Sequence, residues 1–419
     1  MITNITLENF KCFRKVEVNP RLITVLIGPN GTGKSSVLQG LALLKQSIGA
    51  NGIRHQGEFL SLPSVTEIVP KWTSSPTNFR IEFSGAVNRS DVETFGFDER
   101  VKYRYGANFA SSGPMTASYG YTETEFDGKR ARVEVPEDPQ EFTEMNEVGG
   151  SRVLLSKINN VARLVDVGGW VGSVTPAYQN GLPLIISTTN HVLEKLRFIP
   201  AIRGLVRPSY PLGDKFVEDP SLSSGLSGQE EQIASNLGYS LTMEDILSGL
   251  LYEVTGSGLR AETVPPRSVE VRSLAASGSV NIVAEGFGTN ALILLFHQLI
   301  GAAKGATVLI EEPEIHLHPR AQAELASVLA ESAKSEDKQL IMTTHSEHVL
   351  GRLLTLVAEG KLAKEELAIY SFEKDDQGVC TADEIEVMDD GRVIGGLKSF
   401  FESELDELDR YMRALKPSE

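Results

Sequence analysis

The sequence predicts an α/β protein with a mixed sheet, a β-rich insertion and a small helical lobe. Three short apolar runs are typical of buried strands, namely LITVLI at 22–27, TVLI at 307–310 and QLIMT at 339–343. Residues 36–47 and 289–303 carry apolar positions at helical spacing. Buried strands that alternate with helices indicate an α/β core.

The other segments differ in composition from this core. Between about 50 and 190, stretches such as FRIEFSGAV are β-like and are separated by turn residues, which indicates an antiparallel insertion. Residues 208–262 mix turns with helix-like runs, and residues 397–415 form an acidic amphipathic pattern that suits a solvated face or a partner interface. We therefore expect an α/β core at 1–50 and 276–396, the β-rich insertion at 51–195, the helical lobe at 196–275 and a C-terminal acidic helix at 397–419.

The composition predicts a globular cytoplasmic protein. Hydrophobic residues make up 41% and charged residues 23% of the chain, and no apolar run reaches the ~18 residues that a membrane span needs. The start, MITNITLENFKCF, lacks the apolar core of a signal peptide. Cys12 and Cys380 stand far apart without the spacing of metal ligands, so we expect two reduced thiols.

The charge of the chain argues against general binding to DNA. Its formal net charge is −16, which disfavours contact with a phosphate backbone. The segment from Arg197 to Arg207 is locally basic but does not make a patch by itself. Direct DNA binding therefore stays an alternative that a local basic groove would support.

The strongest motif follows the first buried strand. Residues 28–35, GPNGTGKS, match G-x-x-x-x-G-K-[ST] in full, and a helical pattern begins at once. In such a loop the main-chain N–H groups surround phosphate oxygens, the lysine pairs with the β and γ phosphates, and the hydroxyl binds Mg²⁺. The alternative is a glycine turn without a ligand, which the strand and helix context disfavours. The predicted ATP-binding residues are Asn30, Gly31, Thr32, Gly33, Lys34, Ser35 and Ser36, with Ser35 also a metal ligand.

A second motif, TVLIEEPEIHLHP, spans residues 307–319. An apolar strand that ends in two carboxylates is a Walker B arrangement, in which Glu311 would hold Mg²⁺ and Glu312 would polarise the attacking water. The first acid of this motif is usually Asp; the longer Glu311 side chain can still reach the metal, and its coordination geometry stays open. A strand that merely leaves the core is the alternative, and the intact first motif disfavours it.

Three further groups of polar residues have a functional and a structural interpretation. His345, at the end of a β-like run, is predicted to contact the γ-phosphate, against the alternative of a polar residue near a helix N-terminus. His316 and His318 suggest a zinc site, but a loop that follows the Walker B strand is the favoured interpretation because further ligands are missing. The residues from Asp375 to Gly378 resemble part of a calcium loop, yet a hairpin turn is favoured.

Together the motifs resemble a known class of proteins. GPNGTGKSS, EGFGTNALILLFHQL, TVLIEEPEIHLHP and TTHSEH, in this order, are similar to the ABC-type ATPase head of the RecF, SMC and OLD-nuclease branch. Within that branch, the chain resembles stand-alone bacterial AAA-family ATPases. The resemblance covers residues 1–50 and about 196–419, and it leaves the β-rich insertion unmatched.

The resemblance implies further roles for individual residues. Gly286, Gly288 and Thr289 correspond to the ABC signature, which would cap the γ-phosphate of ATP bound to a second copy, although the usual serine is missing. Pro313–His318 corresponds to the D-loop, and Arg203 to a position near the nucleotide.

The resemblance also implies an activity. We expect Mg²⁺-dependent hydrolysis of ATP by a homodimer or higher homo-oligomer that controls a separate effector, a nuclease or a toxin, in antiphage defence or genome maintenance. A DNA-binding repair ATPase and a nucleotide-binding scaffold with little turnover are the alternatives. No membrane partner is expected.

Overall fold

The computed structural model describes residues 1–47, short stretches between 54 and 72, strands between 78 and 165, and residues 192–217, 226–276, 278–396 and 410–413. The longer helices in these residues are α1 (Lys34–Gln46), α2 (Leu226–Tyr239), α3 (Leu241–Thr255), α4 (Phe287–Gly301), α5 (Pro319–Ser335) and α6 (Glu347–Ala358). The strands are β1 (Ile2–Phe10), β2 (Phe13–Val18), β3 (Ile23–Ile27), β4 (Asn78–Asn88), β5 (Arg100–Ala110), β6 (Ala117–Phe126), β7 (Lys129–Val135), β8 (Leu154–Ile158), β9 (Val161–Val165), β10 (Arg197–Ile199), β11 (Tyr210–Pro211), β12 (Gly258–Val264), β13 (Ser268–Ala275), β14 (Gly278–Asn281), β15 (Thr307–Glu311), β16 (Gln339–Thr343), β17 (Leu367–Lys374) and β18 (Cys380–Ile385).

A mixed six-stranded sheet with the order β10-β15-β16-β3-β17-β18 forms the centre of the molecule. The first five strands are parallel, and β18 is antiparallel to β17. Both faces are covered, since Val25 of β3 belongs to one buried cluster and Leu26 to the other. This explains why the strands are continuous apolar runs rather than alternating ones. The expected α/β fold with a mixed sheet is confirmed, and the residues that follow β3, β15 and β16 meet at one edge.

Helix α1 lies between the central sheet and a second, antiparallel sheet. Leu38 and Leu41 of α1 share a buried cluster with Leu26 of the central sheet and Leu7 of β1. The second sheet has the order β2-β1-β4-β5-β6-β7, so the N-terminal hairpin continues into strands of the predicted insertion. The described part of the insertion is antiparallel, as the sequence predicts.

The opposite face of the central sheet carries the other helices. Ile233 of α2, Leu251 of α3 and Leu292 of α4 belong to the same buried cluster as Val25. The segment predicted as a helical lobe holds α2 and α3 and also the antiparallel strands β12, β13 and β14. The boundaries expected for the lobe, the insertion and the core stay predictions.

Two smaller expectations concern the C-terminal part of the chain. Residues 375–378 form the turn of the β17–β18 hairpin, and Asp375 Oδ1 accepts hydrogen bonds from the main-chain N–H groups of Gln377 (2.9 Å) and Val379 (2.8 Å). Of the predicted acidic helix, residues 410–413 are described and are helical, and the rest lies outside the described residues. Among the helices that the structure describes, none is long and apolar enough to cross a membrane.

Candidate nucleotide-binding site

The loop between β3 and α1 depends on two glycines. Gly28 has a φ of 139° and Gly33 a φ of 94°, and residues other than glycine rarely adopt these values. A Cβ at Gly28 would lie 2.3 Å from the carbonyl oxygen of Phe372, and one at Gly33 would lie 2.5 Å from the sulfur of Cys12. The loop therefore fits tightly against its neighbours, with the strand before it and the helix after it that a phosphate-binding loop requires.

The two cysteines meet beside this loop, although they are far apart in the sequence. The N–H of Cys380 donates to the carbonyl oxygen of Cys12 at 2.8 Å, and its thiol lies 3.8 Å from the carbonyl oxygen of Gly31. Both thiols are free. Burial, together with the neighbouring Cys380, raises the pKa of Cys12, so the Cys12 thiol is protonated at neutral pH.

Lys34 occupies the inside of the loop. It is buried, and its Nζ donates to the carbonyl oxygens of Gly28 and Pro29, both at 2.8 Å. Burial lowers the pKa of Lys34, while the carboxylates of Glu312 and Glu314 act in the opposite direction. The ammonium group is therefore surrounded by main-chain oxygens, with carboxylates of the second motif nearby.

The other predicted loop residues occupy different positions. Asn30 and Gly31 are exposed at the tip of the loop, and the Thr32 hydroxyl donates to the carbonyl oxygen of Pro29 at 2.9 Å. Ser36 is buried in the first turn of α1. The tip is thus open to solvent, while the base of the loop is held by its own hydrogen bonds.

Glu311 ends β15 and is buried next to α1. Its Oε1 accepts from the Gln39 amide at 3.1 Å, and Ser35 lies near enough to the carboxylate to affect its pKa. Burial raises the pKa of Glu311, and Ala201, Gln39 and Ser35 oppose that shift. Carboxylate and hydroxyl oxygens are the ligands that Mg²⁺ prefers. Ser35 and Glu311 therefore fit the predicted metal site.

Glu312 and His345 face each other at the same edge of the sheet. Glu312 Oε1 lies 3.8 Å from His345 Nε2, and their side chains are 35% and 36% exposed, so solvent reaches both. The main chain of Glu312 has a φ of 42°, and its N–H donates to the carbonyl oxygen of Thr343 at 3.1 Å. Burial and then Lys34 lower the pKa of His345, while Glu312 opposes them. The imidazole is therefore neutral at pH 7.

Arg203 lies behind the Walker B turn rather than in the open cleft. It is buried, and its guanidinium donates to the carbonyl oxygens of Glu311 at 2.8 Å, Glu312 at 3.0 Å and Pro313 at 3.0 Å. Burial lowers the pKa of Arg203 to about 10, and Glu314 is the first of the carboxylates that oppose this. The side chain holds the backbone of the turn, and a contact between Arg203 and nucleotide stays a prediction.

The structure does not bring the signature segment to the loop of the same chain. Gly286, Gly288 and Thr289 lie at the start of α4 and line a cavity of about 540 Å³ together with residues of the D-loop and of helices α3 and α5. A Cβ at Gly288 would lie 2.5 Å from the carbonyl oxygen of His316, so α4 packs directly on the D-loop. None of the residues that line this cavity belongs to 28–36.

The two D-loop histidines have structural contacts. The ring of His316 packs edge-on against Phe287 with centroids 4.9 Å apart, and His318 Nδ1 accepts from the N–H of Arg320 at 3.3 Å at the start of α5. In the part of the chain that the structure describes, no three His, Cys, Asp or Glu side chains are grouped for a metal ion. These contacts agree with the favoured interpretation of a loop after the Walker B strand.

Comparison with known proteins identifies the family. The AAA ATPase domain matches residues 1–96 and 225–350, which is more than half of the chain. The chain belongs to the AAA ATPase domain family. The chain is 23% identical over 376 residues to the OLD nuclease of Thermus scotoductus, over 83% of this chain and 59% of that protein. The chain therefore spans less than two thirds of the length of that relative.

Solved structures of similar fold include SMC heads. The SmcHead bound to the C-winged helix domain of ScpA aligns with a TM-score of 0.51 and 14% identity, over 92% of this chain and 97% of that chain. The SMC head domain from Thermotoga maritima aligns with a TM-score of 0.44 and 12% identity, over 92% of this chain and 99% of that chain. With the family match and the fold, the predicted resemblance to the RecF, SMC and OLD branch of ABC-type ATPases is confirmed.

Two site residues of this ATPase domain are missing from the sequence-based prediction. Gln39 lies one helical turn after Ser35 on α1, and this spacing of four would have indicated a shared face toward Glu311. Glu314 is buried and accepts hydrogen bonds from the Thr344 hydroxyl and from the N–H of His345. The position of Glu314 in the sequence does not predict these contacts. It lies three residues after Glu311, where the backbone has left the strand, so the strand pattern does not show which way its side chain points.

Proposed function

We propose that this chain binds ATP and Mg²⁺ at residues 28–36 and hydrolyses ATP to ADP and phosphate. The observation that carries the proposal is the meeting of Lys34, Glu311, Glu312 and His345 at one edge of the parallel sheet, with Glu312 and His345 3.8 Å apart. A carboxylate that accepts a proton from water and a neutral imidazole that can donate to a phosphate oxygen are the groups that phosphoryl transfer to water needs.

Ser35 and Glu311 would hold the Mg²⁺ ion. When bound, the ion neutralises negative charge that develops on the phosphate oxygens. The chain itself supplies the Lys34 ammonium as a donor to phosphate and the Glu312 carboxylate as the base for water. Phosphate release from purified protein, measured with and without EDTA, tests the proposal. A protein that binds ATP but releases no phosphate in the presence of Mg²⁺ would contradict it and favour the scaffold alternative.

We also propose that the active form is a homodimer in which the start of α4 caps ATP bound to the other copy. The main-chain N–H groups at a helix N-terminus suit an anion. Apolar side chains beside it support an interface, since Phe287 is 45% exposed, Val206 67% and Ile202 89%. The Asn290 side chain bonds to both main-chain groups of Leu205, each at 2.7 Å, which keeps this loop next to the start of α4.

The biological role that we propose is the control of a separate effector in antiphage defence or genome maintenance in the cytoplasm. The relative named OLD nuclease supports a nuclease as that effector, and the SmcHead structure carries a bound partner domain. The net charge of −16 disfavours DNA as a direct ligand. Repeating the phosphate-release assay with and without DNA tests this, and a strong stimulation by DNA would favour the DNA-repair alternative.

A further inference from the structure

We propose that Glu314 is a positioning residue that holds the loop of His345 in place for hydrolysis, an inference that rests on the function proposed above. Glu314 is 7% exposed and lies in the D-loop, two residues after the base Glu312. Its Oε1 accepts a hydrogen bond from the Thr344 hydroxyl at 2.7 Å and another from the N–H of His345 at 2.8 Å. One carboxylate oxygen therefore fixes two successive residues of the loop that carries the histidine.

The main chain of His345 sets where its ring can reach. The loop leaves β16 at Thr343 and enters α6 at Ser346, whose hydroxyl accepts from the N–H of Val349 at 3.0 Å. The Thr344 hydroxyl donates to Glu314 and also accepts from the N–H of Ser346 at 2.9 Å. Without Glu314, the Thr344 hydroxyl and the N–H of His345 lose the acceptor that holds them, and the ring is no longer fixed beside Glu312.

The second oxygen of Glu314 makes the inference testable. Oε2 is buried and has no hydrogen-bond partner among the described residues. Both bonds to the His345 loop use Oε1, so glutamine keeps them while it removes the negative charge. Alanine removes both bonds. Glutamine and alanine thus separate positioning by hydrogen bonds from any role of the charge near Lys34 and Arg203.

The experiment compares hydrolysis by five proteins: the parent, Glu314→Ala, Glu314→Gln, His345→Ala and the double variant that combines Glu314→Ala with His345→Ala. A small displacement of a catalytic group costs up to about 10²-fold in rate. We therefore expect Glu314→Ala to lower kcat by roughly 10–10²-fold with KM for ATP nearly unchanged. In the His345→Ala background the same change is expected to cost less than about 2-fold, because residues that act as one unit are not additive. Glu314→Gln is expected to keep most of the parental kcat.

Independent losses that multiply in the double variant would overturn the inference, as would a Glu314→Gln protein as slow as Glu314→Ala. The ring signals of ¹⁵N-labelled His345 give a readout that does not depend on hydrolysis, and we expect them to shift in Glu314→Ala but not in Glu314→Gln. If Glu314→Ala does not fold, Thr344→Val replaces it, since it removes one of the two donors to Oε1. A parental protein that hydrolyses no ATP would contradict the proposed function. If the parental protein hydrolyses ATP and the two rate losses multiply in the double variant, only the positioning role is contradicted.

Discussion

At the scale of single residues, Lys34 is a buried cation whose hydrogen-bond acceptors are main-chain carbonyls. Its ammonium group is buried among the carbonyl oxygens of Gly28 and Pro29, and burial lowers its pKa. Carbonyls are neutral acceptors, so these bonds lack the opposite charge that a phosphate oxygen would bring to the ammonium group. A phosphate group at this loop would therefore be a better partner for Lys34 than the main chain.

We predict that Lys34→Ala lowers the affinity for ATP by about 10–10²-fold, because a charged hydrogen bond contributes roughly 1.5–3 kcal/mol. Titration with a fluorescent ATP analogue measures the affinity. Lys304→Ala is the control, since that lysine is exposed after α4. Equal affinity of the Lys34→Ala and parental proteins would argue that the loop does not bind phosphate.

The residues of the site differ in how far their surroundings can be predicted. The positions of Lys34, Glu311 and Glu312 follow from a motif whose spacing fixes the loop and from the end of an apolar strand. Arg203 is different, because its acceptors are main-chain carbonyls, which leave no trace in the sequence. The contact between Cys12 and Cys380 depends on how β2 and β18 come together, and no local sequence pattern encodes it.

At the scale of elements, the contact between α4 and the D-loop is close enough to exclude a methyl group. A Cβ at Gly288 would lie 2.5 Å from the carbonyl oxygen of His316, whereas one at Gly301, in the same helix, would meet nothing within 4 Å. We predict that Gly288→Ala destabilises the protein by about 1–3 kcal/mol. Gly301→Ala should be neutral or stabilising, by up to about 1 kcal/mol. Urea unfolding of both variants measures this, and equal stabilities would show that α4 can move away from the D-loop at no cost.

A buried histidine connects α4 to α2. His297 is 0% exposed, its Nε2 lies 3.4 Å from Asn236 Nδ2, and burial lowers its pKa to about 4. Because the pKa in the folded state is below the unfolded value of about 6.5, the unfolded chain binds more protons between these values. Stability is therefore fully present above pH 6.5 and is lost as pH falls toward 4.

We predict that the protonation of His297 on unfolding lowers the free energy of unfolding by about 2 kcal/mol at pH 5 relative to pH 8. Urea unfolding of the parent and of His297→Gln at both pH values measures it. The variant is expected to lose less stability on acidification, since glutamine does not titrate. The same loss in both proteins would assign the acid sensitivity to other groups.

The elements themselves were predictable to different degrees. The parallel strands were predictable because both of their faces are buried, which makes them continuous apolar runs. Helix α4 was expected at 289–303 and spans Phe287–Gly301, since the chain enters the helix at Gly286, a position that apolar periodicity does not detect. The register by which β1 joins β4 of the insertion could not be predicted, because it depends on pairing between distant segments.

At the scale of the whole molecule, the two halves of the proposed site lie apart within one chain. Residues 28–36 stand at the carboxyl edge of the central sheet, whereas Gly286, Gly288 and Thr289 line a cavity on the D-loop. A site that needs both halves is completed by a second copy. ATP bound between two copies would favour the dimer, because a ligand that binds only the associated form shifts the equilibrium toward it.

We predict that Glu312→Gln forms a stable dimer in the presence of ATP and Mg²⁺. The amide keeps the size of the side chain but removes the basic oxygen that faces water, so hydrolysis should slow by about 10²–10⁴-fold while binding survives. Lys34, Ser35 and Glu311 would still hold the nucleotide, and the ADP state would form only slowly. Gel filtration with multi-angle light scattering measures the mass with ATP, with ADP and without nucleotide.

Glu311→Gln is the matched control for this prediction. Glu311 and Glu312 are adjacent, yet the first is buried beside Ser35, whereas the second has a side chain that is 35% exposed and lies beside His345. Loss of the Glu311 charge should weaken Mg²⁺-dependent binding of ATP, so this variant should remain monomeric at ATP concentrations that saturate Glu312→Gln. A Glu312→Gln protein that hydrolyses ATP at the parental rate would remove Glu312 from catalysis. If Glu312→Gln is inactive and binds ATP tightly but does not change in mass, Glu312 keeps its catalytic role and the dimer is contradicted. The two halves of the site would then have to meet by movement within one chain.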